Sequence, residues 1–294
     1  MTSEQPLDPK QIAKNAVARA RTLTALPEAA ARAGRIAEDP ESSLEELSAA
    51  FALDPALCSN LLKVANSALY GLRTEVSSIE RAAFVLGRKV LRNVALAASL
   101  QTILPKAEIH RAFSITNLWR HSIRTAAAAS LLARESESWN PEEAFAAGLI
   151  HDLGLLVEIE TDRDKLSSII KEVEKAAPGD QRAAIRELEL QCFGADHQLF
   201  GSAMCAAWGF PSRLADVAEH HHSPLSFDSP NQKLVVTVRL AEEIAGDCEH
   251  GVTNLNAQVT ADPDLLDCLG LTPERFESLV EIMTQAADDL EGAF

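Results

Sequence analysis

The sequence predicts an all-α protein, a multi-helix bundle, on three observations. Apolar residues make up 47% of the 294-residue chain, with alanine and leucine dominant and Gly and Pro at only 13 each. Apolar positions recur at helical spacing between cap-like residues along most of the chain. No stretch alternates Val, Ile or Thr with polar residues as a half-buried strand would.

The elements follow in order. Residues 1–9 are polar and read as a disordered tail; residues 10–22 read as a first helix with Ile12, Val17 and Ala20 inward. Leu26-Pro27 opens EAAARAGRIAED, with proline in the first turn. Ser42-Ser43 caps LEELSAAFAL, Asp54-Pro55 caps ALCSNLLKVANSA, Tyr70-Gly71 ends that segment, and Ser77-Ser78 caps IERAAFVLGRKVLRNVALAASL. Thr116 or Asn117 precedes LWRHSIRTAAAASLLARE, and Asn140-Pro141 caps one helix reaching through EEAFAAGLIHDLGLLVEIE. Pro178-Gly179-Asp180 breaks the chain before AAIRELELQCF; Ala195-Asp196 opens HQLFGSAMCAAWGF; Pro211-Ser212 opens RLADVAEHHH. Asp228 to Gln232 turns into KLVVTVRLAEEIA, and two last helices lie near Pro263–Cys268 and Pro273–Leu290.

Pro105–His110 lacks a helical pattern and predicts a boundary. It divides an N-terminal helical subdomain, 10–105, from a histidine-bearing bundle, 106–250, with an acidic helical extension over 251–294.

The net charge is −16, and from Ala241 to Phe294 there are 13 acids against one base, Arg275. Such a surface repels phosphate backbones and argues against direct nucleic-acid binding; the acids read as a solvated face. Five scattered cysteines, Cys58, Cys192, Cys205, Cys248 and Cys268, form no CxxC pair. They read as free buried thiols in a reducing cytoplasm and argue against a cysteine metal site. No charge-free run is long enough for a membrane span, and MTSEQPLDPKQ has no apolar secretory core.

Chemistry concentrates on histidines and acids in the second half: His121 in LWRHSIRTA, His151-Asp152 in AAGLIHDLGLL, His197 in GADHQLFG and His221-His222 in AEHHHSP. Imidazole and carboxylate together suit a divalent transition metal such as Fe, Mn, Ni or Zn. Asp152 lies in an apolar run, where an ionised carboxylate needs a metal, a histidine or backbone donors. On one continuous helix the doublet's side chains diverge by about 100°, so both reach a cavity only at its rim. Arg120 and Arg124 flank His121 and read by default as solvated surface charges.

These segments resemble the HDOD family, HD-related output domains of bacterial signalling proteins. The likeness lies in LPEAAARAGRIAEDPESSLEELSAAFALDPALCSNLLKVANSALYG, in SSIERAAFVLGRKVLRNVAL, and in His197 followed by Trp208-Gly209-Phe210-Pro211 and His221-His222. Kinship with the HD phosphohydrolases implies metal ligands at His121, His151, Asp152, His197, His221 or His222, and Glu242, where VRLAEE places glutamate instead of the usual aspartate. The extra methylene shifts that carboxylate by more than ~1 Å. The resemblance implies a signal-transduction or regulatory protein acting through a signalling protein partner or small ligand. Its rival is a metal-dependent phosphohydrolase of nucleotides or phosphodiesters. Against the rival, Leu155 stands where cyclic-di-GMP phosphodiesterases of this superfamily carry lysine, and SPLSFDSPN replaces their Gly-Tyr-Pro. Asn66, Ser67 and Tyr70 are expected to serve architecture, Asn66 contributing on the order of 1 kcal/mol.

Overall fold

Side-chain caps set most helix starts in the computed structural model, which describes residues 8–20, 22–23, 32, 36, 39, 42–105, 109–111, 113–175, 181–245 and 261–294. The N-terminal elements are α1 (Pro9–Arg19), α2 (Leu44–Ala52), α3 (Pro55–Ala65) and α4 (Ile79–Ile103). Then come α5 (Ile115–Ser136), α6 (Pro141–Ile150), α7 (Leu153–Val173), α8 (Gln181–Phe193), α9 (His197–Ala207) and α10 (Ser212–His220). After a short 3₁₀ turn, α11 (Gln232–Ala245), α12 (Pro263–Leu269) and α13 (Pro273–Glu291) complete the chain. Among the described residues there is no strand, only an isolated bridge between His110 and Phe113.

The caps follow the residue types. Ser43 and Glu46 form a reciprocal capping box on α2. Asp54 accepts from the Ala56 and Leu57 amides, Ser78 from Arg81, Asn140 from Glu143 and Asp196 from Leu199.

Several boundaries differ from the sequence reading. Asp8 is the N-cap residue of α1, without a side-chain cap bond, and Pro9 begins the helix, one residue earlier than expected. Helix α5 starts at Ile115 because Ser114, not Thr116 or Asn117, caps it. The helix expected through 141–160 is broken at His151-Asp152, where Asp152 leaves helical geometry at φ −99°, ψ 14°. The second piece runs on to Val173 past a further break at Asp162. Helix α4 bends at Gly87, whose φ of 76° only glycine adopts freely. The helix expected after Leu26 and the break at Pro178-Gly179-Asp180 lie outside the described residues. Of the thiols, Cys205 is buried, which pushes it up to about 12, whereas Cys192 is exposed rather than buried.

Helix α5 is the central strut. Its inner turns, from Leu118 to Ala133, are buried along nearly every position. A β-carbon at Gly148 of α6 would lie 2.9 Å from the Thr125 carbonyl oxygen on α5. At Gly154 of α7 it would lie 1.7 Å from the His197 carbonyl oxygen on α9. Small residues thus let α5, α6, α7 and α9 meet backbone to backbone.

In the N-terminal half, Asn66 ties the end of α3 to the loop ahead of α4. Its amide donates to the carbonyls of Leu62 and Val76, both at 2.8 Å, and its carbonyl accepts from the Val76 amide at 2.7 Å. Ser67 donates to Val64 at 2.7 Å. Three bonds on an exposed side chain make Asn66 a loop clamp, so Asn66→Ala should lower stability by about 1–2 kcal/mol. Urea denaturation checks this; unchanged stability with loss of a binding function would place Asn66 in chemistry instead.

Candidate metal centre

The centre is assembled from helix ends and helix faces. His121 projects from α5. His151 and Asp152 form the turn between α6 and α7. His197 opens α9 behind its cap Asp196, His221 and His222 follow the end of α10, and Glu242 lies on α11. The break at the doublet corrects the expectation that both side chains could meet only at a rim. Because the chain turns there, both join the same buried cluster of ligand-type side chains: His151 is 1% exposed and Asp152 7%.

Two groups of ligand-type atoms result. His121 Nε2 lies 3.2 Å from His151 Nε2 and 3.7 Å from Asp152 Oδ2, and His151 Nε2 lies 3.1 Å from that oxygen. Atoms about 2.1 Å from one ion, at tetrahedral or octahedral angles, stand roughly 3.0–3.4 Å apart; the 3.1 and 3.2 Å separations fall in that range and the 3.7 Å one corresponds to a slightly wider angle, so the three atoms can share an ion. The second group is His197, His221 and His222, whose ligand atoms lie within 4.8 Å of one another, with His197 Nε2 2.9 Å from His222 Nε2. Asp152 joins the groups: its other oxygen, Oδ1, is 3.5 Å from His221 Nε2. Glu242 Oε2 accepts from Arg239 at 2.7 Å, while Oε1 points back at His151 Nε2, 3.5 Å away, and at His221 Nε2, 4.0 Å away. That buried Oε1 has no hydrogen-bond donor, which a cation in the cavity would remedy. The residues therefore fit a divalent metal.

Outer partners orient the rings. His151 Nδ1 bonds the Gly148 carbonyl at 2.7 Å, His221 Nδ1 bonds the carbonyls of Val217 and Ala218 at 3.1 Å, and His197 Nδ1 bonds Glu189 Oε2 at 2.7 Å. Each bond holds Nδ1 outward and leaves Nε2 facing the cavity, the usual arrangement behind metal-binding histidines.

Without a metal, protons do the balancing. Burial pulls the His151 imidazole down, but the Asp152 charge and hydrogen bond, with Glu242, lift it to about 9. His197 likewise reaches about 9, its burial outweighed mainly by Glu189. Burial would raise Asp152, yet the charge and hydrogen bond of His151, joined by His221, hold it well below the usual carboxylate range.

Some contributors escape the sequence reading. Glu189 is fully buried and braces His197 through both its ring and its amide. Its one signal was position: it falls four residues after buried Ile185, on the inward face of α8. Glu158 is also fully buried, and neither of its oxygens has a hydrogen-bond partner. Burial, then the charges of Glu189, Asp196 and Asp152, push its carboxyl well above the usual range. Arg124 is a correction: it is 8% exposed and paired with Asp288 and Glu291, not a solvated charge. Arg120 is half exposed and pairs with Glu291.

A family model described as HDOD domain matches residues 23–224. Among curated proteins, the chain is 25% identical over 208 residues to an uncharacterized protein of Treponema pallidum (strain Nichols), across 70% of this chain and 39% of the relative. The chain thus spans about two fifths of that relative's length. Solved structures of similar fold include a candidate phosphohydrolase of Shewanella amazonensis SB2B, with TM-score 0.70, 22% identity and coverage of 94% of this chain and 97% of that one. An HDOD domain protein of unknown function from Geobacter sulfurreducens has TM-score 0.70 at 21% identity, covering 99% and 94%. A candidate signal transduction protein of Marinobacter aquaeolei VT8 has TM-score 0.70 at 21% identity, covering 99% and 67%. At these identities the likeness is one of fold.

The two raised histidines give the metal-free protein a pH signature. Unfolded, they titrate near 6.5; folded, His151 and His197 titrate at about 9. Their stabilisation is complete below the lower value and is lost as pH rises through the upper one. Neutral, buried Glu158 acts in the same direction, because the unfolded carboxyl ionises first. Asp152 acts oppositely, stabilising above 3.8 and failing only in strong acid. The melting temperature of chelator-treated protein should therefore fall steadily between about pH 6.5 and 9, and less steeply after metal loading, where the imidazoles are already neutral. Calorimetry checks this; a flat profile without metal would contradict the assigned charge states.

Proposed function

We propose, since the chain belongs to the HDOD domain family, that it is a regulatory signal-transduction protein of the bacterial cytoplasm built around a divalent transition metal, with no hydrolytic role. The observation that carries this reading is a buried cluster rich in metal-ligand atoms and poor in free cations. His121, His151 and Asp152 would hold one ion, and His197, His221 and His222, with Asp152 between the groups, suit a second. Glu242 would close the shell through its unbonded oxygen.

A bound metal supplies Lewis acidity and a fixed positive charge at the meeting point of six helices. What the chain adds there is order. Gly148, Val217, Ala218 and Glu189 fix ring orientation, and Asp152 balances the imidazoles. It adds little to stabilise a phosphoryl group. The arginines nearby are engaged by carboxylates: Arg239 by Glu242 and Glu243, Arg124 by Asp288 and Glu291. Leu155 is buried at 1% exposure and offers no charge. Removing one electrostatic contact of that kind commonly costs ~10²–10³ in rate. Among the described residues no single helix is long and apolar enough to cross a membrane. Output through a partner protein or a small ligand fits a centre that binds without reacting.

The second reading, a metal-dependent phosphohydrolase, draws on the same ligand set. Elemental analysis and activity separate the two. Purified protein should carry a transition metal, at about one ion per chain or more, that His151→Ala and Asp152→Ala remove, and chelation should lower its melting temperature. Metal-loaded protein should leave cyclic-di-GMP and a nucleotide panel intact. Turnover near ~1 s⁻¹, abolished in both variants, would make the hydrolase reading the correct one.

A further inference from the structure

The C-terminal helix α13 lies beyond the family-matched residues, which end at 224. It packs an apolar face of Phe276, Leu279, Met283, Ala286 and Leu290 into the fold. Along the edge of that face, Asp288 and Glu291, one turn apart, meet the basic pair on α5. Asp288 binds Arg124 Nη1, and Glu291 reaches both Arg124, at 3.5 Å, and Arg120. The Arg124 guanidinium also donates to the Ala245 carbonyl at 3.4 Å, at the end of the helix that carries Glu242. A buried guanidinium is costly without an anionic partner, and here that partner comes from the added helix.

The same helix reaches across to the N-terminal half. The Ala68 amide donates to Asp289 at 3.3 Å, Lys63 donates to the Ala293 carbonyl at 3.5 Å, and Gln101 donates to the Phe294 carbonyl at 2.8 Å. Phe294 meets Trp119 edge to face at 6.0 Å. Trp119 and Asp152 are both among the residues lining a small cavity of about 20 Å³. The helix therefore packs on the same turns of α5 that carry His121, on a face turned away from that ring. Most of the described C-terminal acids are exposed, as a solvated face would have them, and Asp288, Asp289 and Glu291 additionally engage partners across the fold.

We propose that the α5 face bearing Trp119, Arg120 and Arg124 is a docking surface for an acidic amphipathic helix of a partner protein, held until then by the chain's own α13. The resident helix defines the chemistry of its replacement: an apolar stripe edged by two carboxylates one turn apart. The exchange is competitive. A tethered helix acts at an effective concentration of roughly millimolar, so a free helix at micromolar levels is excluded until the carboxylate–arginine pairs are weakened. This inference does not depend on the metal reading.

The test uses the full chain and the double variant Asp288→Asn/Glu291→Gln, with a labelled peptide of residues 271–294 in native sequence as the probe. Amide exchange should report faster opening of α13 in the variant. Peptide anisotropy should give an apparent affinity about tenfold or more above wild type, weakened by salt and by adding Arg120→Gln, which removes a half-exposed side chain and spares the core. Phe294→Ala, which loosens the helix without changing charge, should also admit the peptide. Four results would overturn the proposal: α13 as protected in the double variant as in wild type, an opened helix with no peptide uptake, uptake indifferent to Arg120 and salt, or self-association of the variant in place of uptake. Binding of inorganic phosphate without the peptide would assign the arginines to a small anion and overturn it too.

Discussion

The backbone of α7 touches the backbone of α9 at Gly154, and the ligand spacing in the histidine cavity depends on that contact. A β-carbon there would overlap the His197 carbonyl, with its oxygen 1.7 Å and its carbon 2.6 Å away. The contact is two-sided: a β-carbon at Gly201 would lie 3.3 Å from the Gly154 nitrogen and 3.6 Å from the His151 carbonyl oxygen. Gly148 performs the same service between α6 and α5. Interiors pack like solids and relax little, so larger residues at these crossings would separate His121, His151 and His197 rather than dent their neighbours.

Close approach creates an electrostatic problem that the cavity must solve. Asp152, Glu158, Glu189 and Glu242 are all buried. In the absence of metal, protons on His151 and His197 offset Asp152 and Glu189, and Glu158 stays neutral. A divalent ion would replace imidazole protons at Nε2 while leaving each Nδ1 on its outer partner. Metal affinity and pH are therefore linked through the same atoms. The acids behind the rings act as a fixed negative background that favours a cation over an anionic substrate.

Much of the fold was legible because local chemistry sets helix starts. Ser43, Asp54, Ser78, Asn140 and Asp196 cap where the sequence places caps. Less legible was the break at His151-Asp152, since the apolar run continues through it at helical spacing and only tertiary packing turns the chain. The candidate ligands could be named from motif resemblance, but not their division into two groups around Asp152, which needs the crossing angles of the helices that carry them. Glu189 and Glu158 escaped because a single acid on a helix resembles a surface charge until its apolar neighbours prove to be inward. Arg124 misled for the same reason: its partners, Asp288 and Glu291, lie more than 160 residues away in sequence.

We propose that the two histidine groups and Asp152 form a metal centre. X-ray absorption on protein loaded with Mn or Zn tests it most directly. A first shell of imidazole nitrogens and carboxylate oxygens at about 2.0–2.2 Å, losing imidazole scattering in His151→Ala, is the predicted result. A shell of water oxygens alone, or one unchanged by that substitution, would contradict it.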